Sequence, residues 1–222
     1  VAGVIQFLID KHDTFEIVRD RIAEIIATES AQQQALAVTA GKDPWQWALA
    51  VYTERSNPWD DEGVNDDVIV NVWFESAAPD DRSSNTVERQ TMIGQFNIDV
   101  VGFGVSRDTL TGHDPGDEAA ARAAARGLRL VRNMLMASHY TYLGADLRGT
   151  VGQRWVSNVA SFQPQATSRE LTQSVGARLT LSVRYDEFSP QYPPVQLEYM
   201  ANQITRAPDG RLLVQVDFDF TQ

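Results

Sequence analysis

The chain has 222 residues, a formal net charge of −11 and 43% apolar residues, enough for one large domain or a domain with an accessory lobe. That acidity excludes a protein that grips nucleic acid by neutralising phosphates, and the lack of cysteine excludes a disulfide framework, a thiolate nucleophile and a cysteine zinc site. No apolar run approaches the ~18 residues needed to span a bilayer, and Val4 to Ile9 lacks the flanks of a signal peptide, so a soluble cytoplasmic chain with no membrane partner is expected.

In chain order, Asp13 and Glu16 have the spacing of a capping box, and Phe15, Val18, Ile22, Ile25 and Ile26 recur at helical intervals. They predict a helix from Asp13 to Thr28 that frays after Glu29, because the following Ser-Ala-Gln-Gln-Gln-Ala-Leu-Ala has a weak face; Gly41 to Pro44 ends it. Trp45 to Thr53 and Val68 to Phe74 alternate as strands. Between them lies a polar excursion with five acidic residues, containing Trp59, Asp60, Asp61 and Glu62. A second excursion, Ala77 to Gln90, carries Asp80, Asp81 and Arg82 and is expected to be mobile in the isolated chain. Thr91 to Val105 is the longest predicted strand. Its apolar side switches from Phe96, Ile98 and Val100 to Val101, Phe103 and Val105 beside Gly102 and Gly104, which predicts a bulge or bend.

Asp114 to Ala137 predicts an amphipathic helix with Asp114 as cap and Pro115 in the first turn. One face is small and then large, from Ala120, Ala123, Ala124 and Gly127 to Val131, Met134 and Leu135, and Gly127 suggests close approach of another backbone. The opposite stripe holds Glu118, Arg122, Arg126, Arg129 and Asn133. It is either a solvated face braced by Glu118 and Arg122 or a subunit contact made by Arg122, Arg126 and Arg129. Further strands are predicted over Arg154 to Phe162 and Ser174 to Tyr185. A Pro- and Tyr-rich linker covers Phe188 to Pro194, and a hairpin turns at Ala207-Pro208-Asp209-Gly210. The order implies an α+β fold, a mostly antiparallel sheet with two principal helices packed on it, over residues 1–188, and a linker with a C-terminal hairpin extension over 189–222.

Motifs of catalysis are sparse. His12, His113 and His139 lack partners at metal-ligand spacing, and the acidic loop misses the spaced oxygens of a calcium loop, so neither cofactor nor metal is expected. Asp217 and Asp219 share one side of the last strand, where alternation with Val216 and Phe218 explains them as a wet face. No nucleophile elbow or phosphate-binding loop is present, and no enzyme is expected. Trp59, between Pro58 and Asp60, is a candidate partner contact together with Asp60, Asp61, Glu62, Asp80, Asp81 and Arg82.

The order of features resembles the tail terminator, or tail completion, proteins of tailed bacteriophages. The resemblance covers roughly residues 10 to 188 and rests on the first helix, strands with long loops, the Ala/Arg helix ending Val131-Arg132-Asn133-Met134-Leu135, the stretch Gly149 to Phe162 and the strand Ala177 to Tyr185. It implies a virion structural protein assembled in the host cytoplasm: a hexameric ring that caps the tail tube, ends its polymerisation and offers a docking surface to a head-completion or neck protein. It further implies contact with the tail tube protein, room for contact with the tail sheath, and passage of genomic DNA through the ring without specific binding. The hairpin and the long loops depart from small members of that family. Alternatives are another neck or tail-tube protein, a host adaptor domain, and a small metal-dependent hydrolase using Asp60, Asp61, Asp217 and Asp219.

Overall fold

The first helix, α1, runs Thr14–Thr39 in a computed structural model that describes residues 12–58, 68–109, 112–164, 172–189, 199–206 and 211–219, with the backbone alone at 107, 109, 113, 114, 172, 199–206 and 211–219. The capping box opens it, the Glu16 carboxylate accepting the Asp13 N–H at 2.9 Å. A second carboxylate, Glu187, accepts the Thr14 N–H at 2.9 Å and ties the helix start to a distant strand. Contrary to expectation, α1 continues well past Glu29. Buried Ser30 donates to the Trp47 carbonyl at 2.7 Å and accepts from Leu49 N–H at 3.1 Å, so a polar clamp and buried Ala37 replace the missing apolar stripe. The helix then stops where Gly41 takes a φ of +66° and Lys42 N–H returns to the Ala37 carbonyl.

Trp45 and Trp47 lie not on a strand but on a short 3₁₀ turn, Pro44–Trp47, capped by Asp43; Pro44 at its start favours the turn. The strand that follows, β1 (Ala50–Thr53), is short and pairs in parallel with β2 (Val68–Pro79). Next come β3 (Arg89–Val105), the small hairpin β4 (Arg107–Thr109) and β5 (Gly112–Asp114), and the second helix α2 (Gly116–Met136). The chain returns through β6 (Val151–Phe162) and β7 (Thr172–Phe188) and finishes in the hairpin β8 (Tyr199–Arg206) and β9 (Arg211–Asp219). The main sheet has the order β1-β2-β3-β7-β6 and is antiparallel apart from its first pair; the terminal hairpin forms a two-stranded sheet of its own. The fold is α+β, with both helices on one face of the sheet. Among the described residues no helix is long and apolar enough to cross a membrane.

The bulge expected near Gly102 is absent. β3 pairs with β7 without interruption from Arg89↔Phe188 to Val105↔Thr172, and the irregularity with β2 falls at Phe74 and Ser76 instead. The apolar side of β3 never switches phase. Phe96, Ile98, Val100, Gly102 and Gly104 form one row under the helices, while Val101 and Phe103 join Ile69 in a small cluster on the other face. Glycine appears in the row because α2 descends onto it. A Cβ at Gly102 would lie 2.3 Å from Ala124 N and 2.4 Å from Ala120 O, and one at Gly104 would lie 2.2 Å from Gly116 O. The close backbone contact is therefore at strand glycines; Gly127 faces the side chains of Val68 and Val100.

The small-then-large face of α2 is buried as its periodicity predicts. Asp114 does not cap the helix: it ends β5, Pro115 occupies the cap position, and the free Gly116 N–H goes to Ser106 Oγ at 3.0 Å. The core joins Val18, Ile22 and Ile26 of α1, Val131 and Leu135 of α2, and the inner row of the sheet. Each fully buried Val, Leu or Ile contributes ~1.5–3 kcal/mol.

Candidate functional site

Of the predicted contact residues, Arg122 and Arg129 are exposed on α2, with Arg122 paired to Glu118, whereas Arg126 is half-buried. The stripe is thus a solvent-facing ridge with one member partly drawn in. Trp59, Asp60, Asp61 and Glu62 lie outside the described residues.

The loop from Asp80 to Glu88 departs from the mobile excursion expected of its composition. Asp80 is only 7% exposed: it accepts from Arg184 Nε at 2.8 Å, Ser83 Oγ at 3.0 Å and Arg82 N–H at 3.1 Å. The Arg82 N–H above all, with Ser83 and Arg184, holds this carboxyl below its ordinary range. Asn85 Oδ1 accepts from Thr91 N–H at 2.7 Å and closes the loop from the other side. Asp80 is therefore a brace within the chain, leaving Asp81 and Arg82 exposed beside Ile93, Trp155 and Arg184. The ends of the predicted excursion are strand: Ala77 to Pro79 belong to β2, and Arg89 and Gln90 to β3.

The sheet face away from the helices holds a cluster that the sequence reading missed. Its register sets Asn71, Asp99 and Arg178 side by side across β2, β3 and β7, with Trp73, Asn97 and Thr180 one pair along. Asp99, 3% exposed, accepts from Arg178 Nε at 2.6 Å, Arg178 Nη2 at 2.9 Å and Trp73 Nε1 at 3.0 Å. The Arg178 guanidinium lies 5.0 Å from the Trp73 ring and 5.4 Å from the Phe162 ring, and its pairing to Asp99 raises its pKa further. These groups line an open cleft of about 430 Å³ with Glu54, Arg55, Gln163 and Pro164. Glu54 at its rim takes a left-handed φ of +52°, held there by Phe74 N–H on its carboxylate at 3.0 Å and by Arg19 Nη1 at 3.3 Å.

The volume is that of a small-molecule site. Its strongest charges are spent on one another, however: a carboxylate fixed by three donors and a guanidinium doubly bonded to it make a structural brace, so the cleft offers aromatic edges rather than an acid–base pair. Among the described residues no three His, Asp or Glu side chains converge to hold a metal ion. Of the four carboxylates in the hydrolase alternative, Asp60 and Asp61 lie outside the described residues, and Asp217 and Asp219 are placed on β9 by backbone alone. His12 is exposed, 3.6 Å from Glu16, and His139 packs edge-on to Tyr140. No protein-family model and no curated protein matches this chain.

Proposed function

We propose that this chain is a structural assembly protein of a tailed-phage virion: a ring-forming subunit that caps the tail tube, ends its polymerisation and presents a docking surface to the head or neck. The observation that carries the reading is the seating of α2. Its small residues bring it down onto Gly102 and Gly104, and that seating turns Arg122 and Arg129 outward. On a chain with a formal charge of −11, copies repel one another at long range. A cationic ridge is where an acidic neighbour is accepted. The resemblance in element order to tail terminators supplies the rest, including a tail tube protein and a head-completion or neck protein as partners and DNA that slides through without sticking.

The test is the solution mass across concentration by light scattering on a sizing column, followed by particle images. A closed ring of about six copies, or a monomer that becomes one on added tail tubes, supports the proposal. Replacing Arg122, Arg126 and Arg129 together by Glu is expected to abolish assembly. Because Arg126 is half-buried, the pair Arg122→Glu and Arg129→Glu serves as the variant that keeps the monomer fold. Normal assembly of that pair refutes the ridge, and a monomer indifferent to tubes refutes the ring.

A further inference from the structure

We infer that the outer edge of β6 is a strand-addition site, and that its occupant is the C-terminal β8–β9 hairpin of a second copy of this chain. β6 is the last strand of the main sheet, 12 residues long, and among the described residues only β7 pairs with it along its length. An open strand of that length is a template for another chain unless it carries guards such as Lys, Pro or outward charge. The sequence Val-Gly-Gln-Arg-Trp-Val-Ser-Asn-Val-Ala-Ser-Phe has a single charge, Arg154, and that charge is turned inward. Its Nε donates to the Tyr140 carbonyl at 2.6 Å and its Nη2 to the Ala137 carbonyl at 2.8 Å, closing the end of α2.

Two register breaks interrupt the β6–β7 pairing, but the second is repaired within the sheet, where Ser157 Oγ donates to the Thr180 carbonyl at 3.2 Å. Val159 stands 50% exposed and Trp155 38% exposed. This edge is therefore long, nearly uncharged and partly apolar.

The same chain carries a complementary unmet need. β8 and β9 pair with each other and form a two-stranded sheet, an arrangement that is marginal in water without a further strand or a layer to pack on. The β9 sequence alternates Val214, Val216 and Phe218 with Gln215, Asp217 and Asp219, the pattern of a strand with one dry row. Hairpin and edge are present in one chain without pairing to each other. The connection 190–198, at most about 30 Å when extended, lets the hairpin reach a neighbour. Adding it to the next copy's β6 satisfies both, by main-chain hydrogen bonds from an extended segment. The contact is head-to-tail, the kind that closes into a ring when the rotation per copy allows it. It requires only a second copy, so it stands independently of the tail reading and of the α2 ridge.

The test is amide hydrogen exchange on the full chain, dilute and concentrated, with mass measured on the same samples. Amides of 151–162 and 211–219 are expected to slow together, at least tenfold, as the mass rises. Val216→Pro, which removes a ladder N–H from β9 in a sheet separate from the main one, is expected to leave the melting temperature of the main domain unchanged and to abolish both effects. Three results overturn the proposal. Protection of 151–162 that is already full in the dilute monomer puts the chain's own hairpin on the edge. An oligomer whose β6 amides exchange as fast as the monomer's leaves the edge uncovered. Concentration-dependent β6 protection that survives Val216→Pro assigns the edge to another segment.

Discussion

Gly102→Ala is the sharpest perturbation of this fold. The added methyl would sit 2.3 Å from Ala124 N, 2.4 Å from Ala120 O and 2.9 Å from Ala123 C, all helix backbone that cannot rotate away. Ordinary carbon contacts lie at about 3.5 Å or more, so α2 must retreat by about 1 Å over its N-terminal half. A gap of that size forfeits roughly a quarter to a half of the dispersion energy at each contact it opens, here beneath Ala120, Ala123, Ala124 and Gly127. Overpacking of this kind costs about 3 kcal/mol, the upper part of the usual range, which for a chain of this size lowers the melting temperature by roughly 6–12 °C. The control is Gly152→Ala on β6, where the new methyl meets nothing nearer than the Arg184 carbonyl at 3.5 Å. Thermal unfolding followed by circular dichroism compares the two. Equal melting temperatures for Gly102→Ala and the parent chain would refute the seating of α2 on β3. Because Arg122 and Arg129 ride on the same helix, the variant is also expected to weaken assembly at temperatures where it remains folded.

Asp99→Asn breaks the doubly bonded pair with Arg178 and is expected to cost about 1–3 kcal/mol in urea unfolding, since Asp99 is buried while Arg178 is partly exposed; a change under ~0.5 kcal/mol would show that the brace is idle. The Tyr140 hydroxyl, which donates to Glu29, titrates at about 12 against ~10 in the unfolded chain. Its contribution is therefore complete below the unfolded value and lost as pH rises through the folded one. Tyr140→Phe should accordingly flatten the alkaline loss of stability, and parallel curves for the two proteins would count against it. Asp80→Asn removes the anion that gathers Arg184, Ser83 and the Arg82 N–H, so faster protease cleavage between Asp81 and Glu88 is expected without loss of the core; unchanged cleavage would mean the loop is held by Asn85 alone. In the parent chain the depressed Asp80 pKa keeps this brace intact above the ordinary carboxyl range, and it is lost only as pH falls through the lowered value.

Period and punctuation in the sequence are enough to locate both helices, the buried face of α2, most strands of the main sheet and the terminal hairpin. Departures arise where one local pattern has two physical causes. The apparent phase change at Val100 and Val101 resembles a bulge, yet it arises because both faces of β3 are covered and glycine fills the row beneath a descending helix. The second half of α1 has no apolar stripe to detect, because Ser30 holds it through hydrogen bonds to a turn many residues away. The Asp99 cluster is long-range, but a signal was available. Thr91 with Asp186, Asn97 with Thr180, and Asp99 with Arg178 all stand opposite at one register between β3 and β7. A single alignment of the two longest strands that buries Phe96 against Leu181 would have shown three polar pairs at once. At the Asp80 loop polar composition alone points to solvation, whereas those side chains bond within the loop and to Arg184.

The two faces of the sheet are finished by different physics, and this bears on how a partner meets them. Under the helices, apolar rows interlock. On the other face Asn71, Asn97, Asp99 and Thr180 are all at most 5% exposed although neither described helix lies over them. They exclude water by pairing with one another: Thr180 Oγ1 donates to Asn97 Oδ1 at 2.7 Å, Asn97 Nδ2 to Glu75 at 3.0 Å, and Asn71 Nδ2 to the Arg55 carbonyl at 2.7 Å. A partner that recruited Asp99 would strand Arg178, and leaving one member of such a pair uncompensated costs more than a new surface contact returns. On the proposed assembly reading, a partner meeting this face is therefore expected at its rim, through Trp155, Phe162, Asp81 and Arg82, with the polar plate serving as a rigid base. On the ring reading proposed above, a rigid plate of this kind fixes shape before contact, so little conformational entropy remains to be lost on docking.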